Sequence, residues 1–335
     1  MHVMFGFARR ETSPALPLEG RESHEDENKA FVERVCLPFL LSSQNEDGGW
    51  GFRSETRSRV EASAWALLAL RHWNFPTSLT EPISRGLRFL EAAQLPDGSW
   101  PASAESREGC WVTSLACWAL LGVEEFSKSA GHGLSWLCAD QPGESRLWFR
   151  LLRRLQGGRR VSSQKDFYYG WSWTSGTASW VEPTSFAVIV LASAVANLLP
   201  EAARRSRFAE AMLYDRMCEG GGWNCGNPMV YGVPGEPQVS TTAWALLALR
   251  RHAERPENQR SVQWLEQAWP KVPSPTSLAL AHLALNASGR GSADLGTALR
   301  KALNDSEMPW NVPTAAWATL ALCGSRNWLP SGPKQ

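Results

Sequence analysis

The chain has 335 residues, of which 43% are hydrophobic, with 34 Lys and Arg set against 33 Asp and Glu for a formal charge of +1. The basic residues are scattered and form no cationic stripe of the kind a phosphate backbone requires, so no nucleic-acid partner is expected. No apolar run approaches the roughly 20 residues that span a bilayer, the opening MHVMFGFARRETSPALPLEG lacks the apolar core of a secretion signal, and seven cysteines spread through segments such as LACWALL suit reduced thiols, so a cytoplasmic protein is expected.

Residues 1–28 carry Pro, Gly and mixed charge without a period and read as a loose leader. A helix is predicted from about Asn28 to Leu41, then the turn QNEDGGWGF, then a second helix over EASAWALLALRHW. RGLRFLEAAQ, LPDGSW and TSLACWALLG repeat this unit at an offset of 50 residues, where Phe39, Leu40, Gln44, Asp47, Gly48 and Trp50 recur as Phe89, Leu90, Gln94, Asp97, Gly98 and Trp100. A period of this length marks units that bury their apolar faces only by stacking on their neighbours.

The third copy opens with GLSWLCADQ and carries an insertion over 142–169, including the basic LWFRLLRRLQGGRRV, before FYYGWSWTSGTASWVEPTSFAVIVL. In these three copies Trp50, Trp100 and Trp171 each stand 13 residues before a hydroxyl residue, Ser63, Thr113 or Thr184. The fourth copy, MCEGGGWNCGNPMVYGVPGEPQVSTTAWALLAL, stretches that interval to 19 residues, from Trp223 to Thr242. Copies five and six, SVQWLEQAWPKVPSPTSLALAHLAL and MPWNVPTAAWATLAL, have shortened loops, and 329–335 is a tail.

Asp-Gly supplies the positive-φ reversal after each first helix, and the Trp that follows can cover the exposed helix end, so each copy is a helical hairpin. Alanines in the second helices, such as Ala64, Ala66 and Ala69, let those helices approach one another as an inner ring with the first helices outside. The expected fold is all-α, one α/α toroid of about six helical hairpins over residues 29–328. Its central funnel is expected to be lined by the 18 Trp and capped by the long loops of copies three and four.

RGLRFLEAAQLPDGSW, from Arg85 to Trp100, and LPFLLSSQNEDGGW resemble the Gln-Trp repeat of squalene–hopene and oxidosqualene cyclases and of protein prenyltransferase β subunits. The resemblance covers about residues 30–325 and implies an α/α toroid whose pocket, in the enzymes, binds an isoprenoid among aromatic walls. In the cyclases the proton donor is the middle acid of an Asp-x-Asp-Asp-Thr motif, two residues before the Thr, and the resemblance carries that place to Glu61 and Glu182. The flanking acids are replaced by Arg59 and Ala62 in copy one, and by Trp180 and Pro183 in copy three.

Protonating an alkene requires a neutral carboxylic acid, which burial or a neighbouring carboxylate can maintain, so Glu61 and Glu182 are the candidate catalytic pair. The alternative is that both are first-turn residues whose charge faces a helix N-terminus. Aromatic faces stabilise cations, which makes Tyr168, Tyr169, Trp173, Trp180 and Trp223 candidate substrate-binding residues, with Asn227 in GGGWNCGNP at the funnel mouth. Trp50, Trp100 and Trp171 read as packing residues at the hairpin turns.

The prenyltransferase zinc set of Asp-x-Cys plus a distant His has its nearest echo in Glu108 with Cys110, but no His begins a later inner helix: His72 and His252 follow the ends of theirs and His282 lies within an Ala/Leu helix, so no metal or cofactor is expected. Arg153, Arg154, Arg159 and Arg160 form the one dense basic stretch, suited to a diphosphate, to peripheral contact with an anionic membrane, or to plain solvation. Among the cysteines, Cys110 with Cys117 and Cys218 with Cys225 are candidate neighbours.

The reading is a terpenoid cyclase-like or prenyltransferase-like protein that binds an apolar isoprenoid-like small molecule and starts cyclisation with an acid. A non-catalytic lipid- or peptide-binding toroid and a glycosidase-like hydrolase using paired Glu are the alternatives.

Overall fold

The computed structural model describes residues 18–73, 79–146, 168–193, 198–305, 310–324 and 327–330, with side chains from residue 24. The basic stretch containing Arg153, Arg154, Arg159 and Arg160, and with it most of the 142–169 insertion, lies outside the described residues.

The outer helices are α1 (Leu18–Phe31), which continues through a π-helical turn, Val32–Cys36, into α2 (Leu37–Ser42), then α4 (Thr80–Ala92), α6 (Ser127–Ala139), α8 (Pro200–Asp215), α10 (Pro256–Ala268) and α12 (Ala293–Asn304). The inner helices are α3 (Val60–His72), α5 (Val112–Leu120), α7 (Val181–Leu191), α9 (Val239–Ala248), α11 (Pro275–Ala287) and α13 (Val312–Leu322). Each inner helix packs on the next, and α13 packs back on α3, so the ring is closed. Because the inner helices meet protein on both sides, they are buried nearly all round, as Ala62–Leu70 of α3 illustrates.

Helix α1 begins at Leu18, inside the stretch expected to be a loose leader. Its end is held by tertiary contacts: Arg300 of α12 donates to Asn28 Oδ1 and, at 2.7 Å, to Glu27 Oε2. That joint closes the outer layer between the last repeat and the first, which no local composition could announce.

One recurring set of bonds explains the sequence repeat. Each turn Trp donates its backbone N–H to the hydroxyl that opens the inner helix: Trp50 to Ser63 at 2.8 Å, and Trp100, Trp171 and Trp223 to Thr113, Thr184 and Thr242 at 2.9 Å. Each indole N–H reaches back to a carbonyl at the end of the preceding outer helix, Leu40 (2.7 Å), Leu90 (2.6 Å), Leu137 (3.1 Å) and Leu213 (2.6 Å). A helix end leaves carbonyls without intrahelical partners, and a buried indole satisfies one of them while covering the end with its ring.

In the first two turns Gln44 and Gln94 also bridge repeats, donating to Gly48 and Gly98 at 2.8 Å and to Pro82 and Ser129 of the next outer helix at 2.9 Å. Gly48 and Gly98 adopt φ of +86° and +90°, and a Cβ there would lie 2.6 and 2.8 Å from the carbonyl oxygens of Arg85 and His132. Only glycine meets both demands.

The axis departs from expectation. Five inner helices each send one aromatic ring to the centre, and Trp65 meets Trp118, Phe186, Trp244 and Trp317 at centroid separations of 5.7, 6.0, 5.2 and 5.4 Å. Trp65 is fully buried, so at this level the expected funnel is filled by rings. The physical reason lies in the alanines: small residues draw the inner helices so close that large side chains meet across the middle. Toward the C-terminal ends of the inner helices Trp118 stacks on Trp328 at 5.2 Å and donates its indole N–H to the Trp328 carbonyl at 2.9 Å. The open side is the opposite one, where the inner helices begin.

All seven cysteines are free thiols. No described helix is long and apolar enough to cross a membrane.

Candidate active site

Two residues before its hydroxyl, each inner helix presents a side chain at the open side. In helices α3, α5, α7 and α9 this position is Glu61, Trp111, Glu182 and Ser240. Residues four apart share a helix face, so Glu61 sits one turn above Trp65, Glu182 above Phe186, and Ser240 above Trp244. The rings that close the axis therefore form a floor, and the first-turn residues form a wall.

Trp111 completes that wall. Its ring lies 5.6 Å from Phe186 in a stacked arrangement and 4.8 Å from Trp173 edge to face. A β-bridge between Cys110 and Thr174 brings the third loop to the start of α5, and Val181 N–H donates to Cys225 at 3.2 Å, which draws the fourth loop to the start of α7. Glu144 and Arg216, a buried pair 3.5 Å apart, fasten the same region: Glu144 accepts from Ser179 N–H at 2.7 Å and Arg216 donates to the Ser179 carbonyl.

Burial, and secondarily the nearby Glu182 carboxylate, push Glu61 up from 4.5 to about 7. Burial raises Glu182 as well, against the partial opposition of a hydrogen bond from Thr241. A helix N-terminus alone would favour the carboxylate anion, so here desolvation outweighs the dipole. Thr241 Oγ1 lies 3.1 Å from Glu182 Oε1 and 3.3 Å from Gln238 Oε1. Donating to Glu182, the Thr241 hydroxyl favours the carboxylate and so limits the rise that burial causes.

Glu182 opens on a cavity of about 610 Å³, lined also by Gln238, Ser240, Thr241, Trp264 and Lys271. It gives Glu182 access to a guest from the open side.

The other residues singled out in the sequence scatter. Trp180 is half-buried at the N-cap of α7, donating its N–H to Trp171 at 2.9 Å. Trp223 stands with the turn tryptophans, fully buried under Leu213, and not with the acids. Its loop is longer than the others, but the added residues come after the Trp and leave its covering role unchanged. Tyr169 faces outward, stacking on Phe208 of α8 at 5.3 Å with Arg205 5.1 Å from its ring, and Tyr168 is half-buried against the core. Asn227 is exposed and its N–H is donated to Asn224 within its own loop. Of these residues Glu182 lines the cavity, Glu61 is its electrostatic neighbour, and Trp173 lies against Trp111.

Sequence reasoning missed Trp111, Thr241, Gln238 and the floor residues. Trp111 had a readable signal, since it stands two residues before Thr113, in the register of Glu61 before Ser63. Glu108 is exposed, and His282 is buried, held down to about 4 by desolvation and bonded through Nδ1 to Asn286 at 2.9 Å. Among the described residues no group of three or more His, Cys, Asp or Glu is placed to hold a metal ion.

No family model matches the chain. Lanosterol synthase of Candida albicans is 39% identical over 100 residues, which are 27% of this chain and 13% of that protein. Terpene cyclase/mutase ntnI of Nectria sp. is 36% identical over 108 residues, 29% of this chain and 14% of that protein. The chain thus spans well under a fifth of the curated relatives it matches. Among solved structures, the type II terpene cyclase MstE of Scytonema, in complex with its product merosterolic acid A, superposes with a TM-score of 0.59 at 15% identity, covering 92% of this chain and 99% of that one. An α-amylase of Clostridium perfringens gives a TM-score of 0.60 at 10% identity, covering 88% and 98%. At such identities a superposition shows the fold alone. The homologues of this chain are lanosterol synthases and terpene cyclases of the squalene–hopene cyclase family, and its fold is the α/α toroid of the type II terpene cyclases.

Proposed function

We propose that the chain is an isoprenoid cyclase that begins its reaction by protonating an alkene, with Glu61 as proton donor and Glu182 as the neighbour that keeps it neutral. The observation that carries this reading is the pair of half-buried carboxyls one turn above an aromatic floor, with Glu61 raised to about 7. A neutral acid at working pH is what alkene protonation needs. Indole faces of Trp111 and Trp173 would stabilise the cation that results, through the ring quadrupole.

Glycoside hydrolysis also uses paired carboxyls, one of them ionised, and an ionised Glu182 beside a raised Glu61 would suit it; the aromatic floor under the pair is what favours the cyclase. A purely capping role would favour ionised carboxylates at the two helix ends, and the rise of Glu61 to about 7 speaks against it there.

The test is incubation of the full chain with detergent-dispersed linear polyprenoids, followed by mass-spectrometric search for a product of unchanged mass and altered retention. Formation of such an isomer by the natural chain, and its loss in Glu61→Gln, is the expected result. An isomer formed equally well by Glu61→Gln would remove Glu61 as donor. Turnover of a soluble oligosaccharide with no isomer from any polyprenoid would replace this reading with hydrolysis.

A further inference from the structure

Five residues before the hydroxyl that opens its inner helix, the first repeat has Ser58 and the third has Ser179. In the first repeat this serine is tied to its own turn: Ser58 Oγ donates to Asp47 Oδ1 at 2.7 Å and accepts from Asn45 Nδ2 at 2.9 Å. The third repeat has no Asp-Gly turn, and Ser179 is gripped instead by an ion pair drawn from two other segments. Glu144 belongs to the short 3-10 turn Gly143–Ser145 that follows α6, and Arg216 caps the end of α8. Glu144 Oε1 accepts the Ser179 N–H at 2.7 Å, Arg216 donates to the Ser179 carbonyl, and the two side chains lie 3.5 Å apart at 9% and 7% exposure. The same guanidinium reaches the fourth loop, where a Cβ on Gly226 would lie 3.3 Å from Arg216 Nη1 and 3.8 Å from Val181 Cγ2.

Such a pair is a poor source of stability. Two charges taken out of water lose hydration that their attraction barely restores, and an apolar pair of similar volume is often as stable or more so. Glu144 also keeps its second oxygen, Oε2, buried without a hydrogen-bond partner, which costs more. What charges supply and methyl groups cannot is direction, since charge-assisted bonds fix both the N–H and the carbonyl of one residue. That residue stands three before Glu182. Helix α7 begins at Val181 with Glu182 in its first turn, so the course of the chain at Ser179 sets where the carboxyl points.

We propose that Glu144 and Arg216 are positioning residues of the acid site, which hold the start of α7 so that the Glu182 carboxyl stays beside Glu61. They act through the backbone of Ser179 and the packing of Val181 against the fourth loop. The consequence for turnover rests on the cyclase reading above, and the consequence for the ionisation of Glu61 does not.

The variant is Glu144→Gln with Arg216→Met, which keeps the volume, keeps an acceptor for the Ser179 N–H and leaves no charge unpaired. The first measurement on the full chain needs no substrate: urea midpoints between about pH 5 and 8, with and without Glu61→Gln, isolate the pH dependence that Glu61 contributes. Glu182 from α7 and the Cys110 thiol at the start of α5 are the titratable groups that interact with Glu61. With the start of α7 released, Glu182 withdraws and water enters, and both changes lower Glu61. Its window is expected to move down by at least about half a pH unit, with little change in melting temperature at pH 5. The second measurement is turnover of a detergent-dispersed polyprenoid, where kcat is expected to fall at least about tenfold with KM within about twofold. Arg216→Lys, which keeps the charge and a donor for the Ser179 carbonyl, is expected to recover most of that loss. An unmoved window would overturn the proposal, and so would unchanged turnover in the double variant of an active chain. Loss of folding in the double variant would make the pair structural and overturn it as well, as would a loss of kcat in Arg216→Lys equal to that of the double variant. A natural chain that isomerises no polyprenoid removes the cyclase reading and leaves the window to decide on the pair, so the two failures show up separately.

Discussion

In the first two repeats the chain passes from outer to inner helix through nearly the same turn. A Gln bridges to the next repeat, an Asp-Gly reverses the direction, and a Trp covers the helix end under a Ser or Thr hydroxyl. In the third repeat the Trp and the hydroxyl remain, but Arg205 takes over the bridging, donating to the carbonyls of Asp140 at 2.9 Å and Gly170 at 3.3 Å while its guanidinium lies 4.2 Å over the Trp171 ring. Gln141 keeps the place of the Gln but accepts from the Ser145 hydroxyl at 3.0 Å, and without the Asp-Gly that repeat carries Glu182 to the open side. The contrast separates two kinds of residue: those that recur hold hairpins together, and those that break the pattern are free of that task, as Glu182 at the cavity is.

Substitutions should divide along the same line. The largest effect is expected for Glu61→Gln, which keeps the shape and removes the acid: turnover should fall by about 10²- to 10⁴-fold, measured under single-turnover conditions, with little change in thermal stability at pH 5. Trp100→Ala should do the reverse, costing about 3–5 kcal/mol in denaturant unfolding because a fully buried indole and its bond to Leu90 are lost together. Trp173→Ala, at a half-exposed wall position, should cost little stability and at least about tenfold in turnover. If Trp173→Ala unfolds the protein as Trp100→Ala does, the division between turn and wall fails.

The pH dependence sharpens the comparison further. Glu61 is raised in the folded chain, so between its ordinary value near 4.5 and about 7 the folded state holds more protons than the unfolded one, and stability declines as pH rises through that window. The decline attributable to this group is on the order of 3 kcal/mol at most. Glu61→Gln should flatten it, as read from urea midpoints across the range, and turnover of the natural chain should fall above about pH 7 as the acid ionises.

Smaller effects are expected at the glycines and at Tyr231, the tip of the 229–234 hairpin in the fourth loop, where φ is +51°. Gly48→Ala meets both a positive φ and the Arg85 carbonyl, and should lower stability by about 2 kcal/mol. Tyr231→Gly should instead raise it by several tenths of a kcal/mol, by relieving the left-handed tip.

What the sequence by itself determined was the unit and its repetition. The spacing from Trp to Ser or Thr, the Gln, and the Asp-Gly are demands of one local structure, and a local structure leaves its pattern in consecutive residues. It therefore disclosed helical hairpins, their stacking and the register that marked Glu61 and Glu182. It did not disclose which tryptophans meet. Trp65 and Trp244 lie far apart along the chain, as do Arg300 and Asn28, and such pairs come together only when the ring closes. The same closure turned an expected bore into a filled axis, because how near the inner helices come depends on all six at once. It also decided that Trp223 covers a helix end while Trp111, never singled out, stacks on Phe186 beside Trp173. Burial belongs to the assembled ring too: the shift that keeps Glu61 neutral comes from neighbours whose sequence positions give no hint that they will surround it.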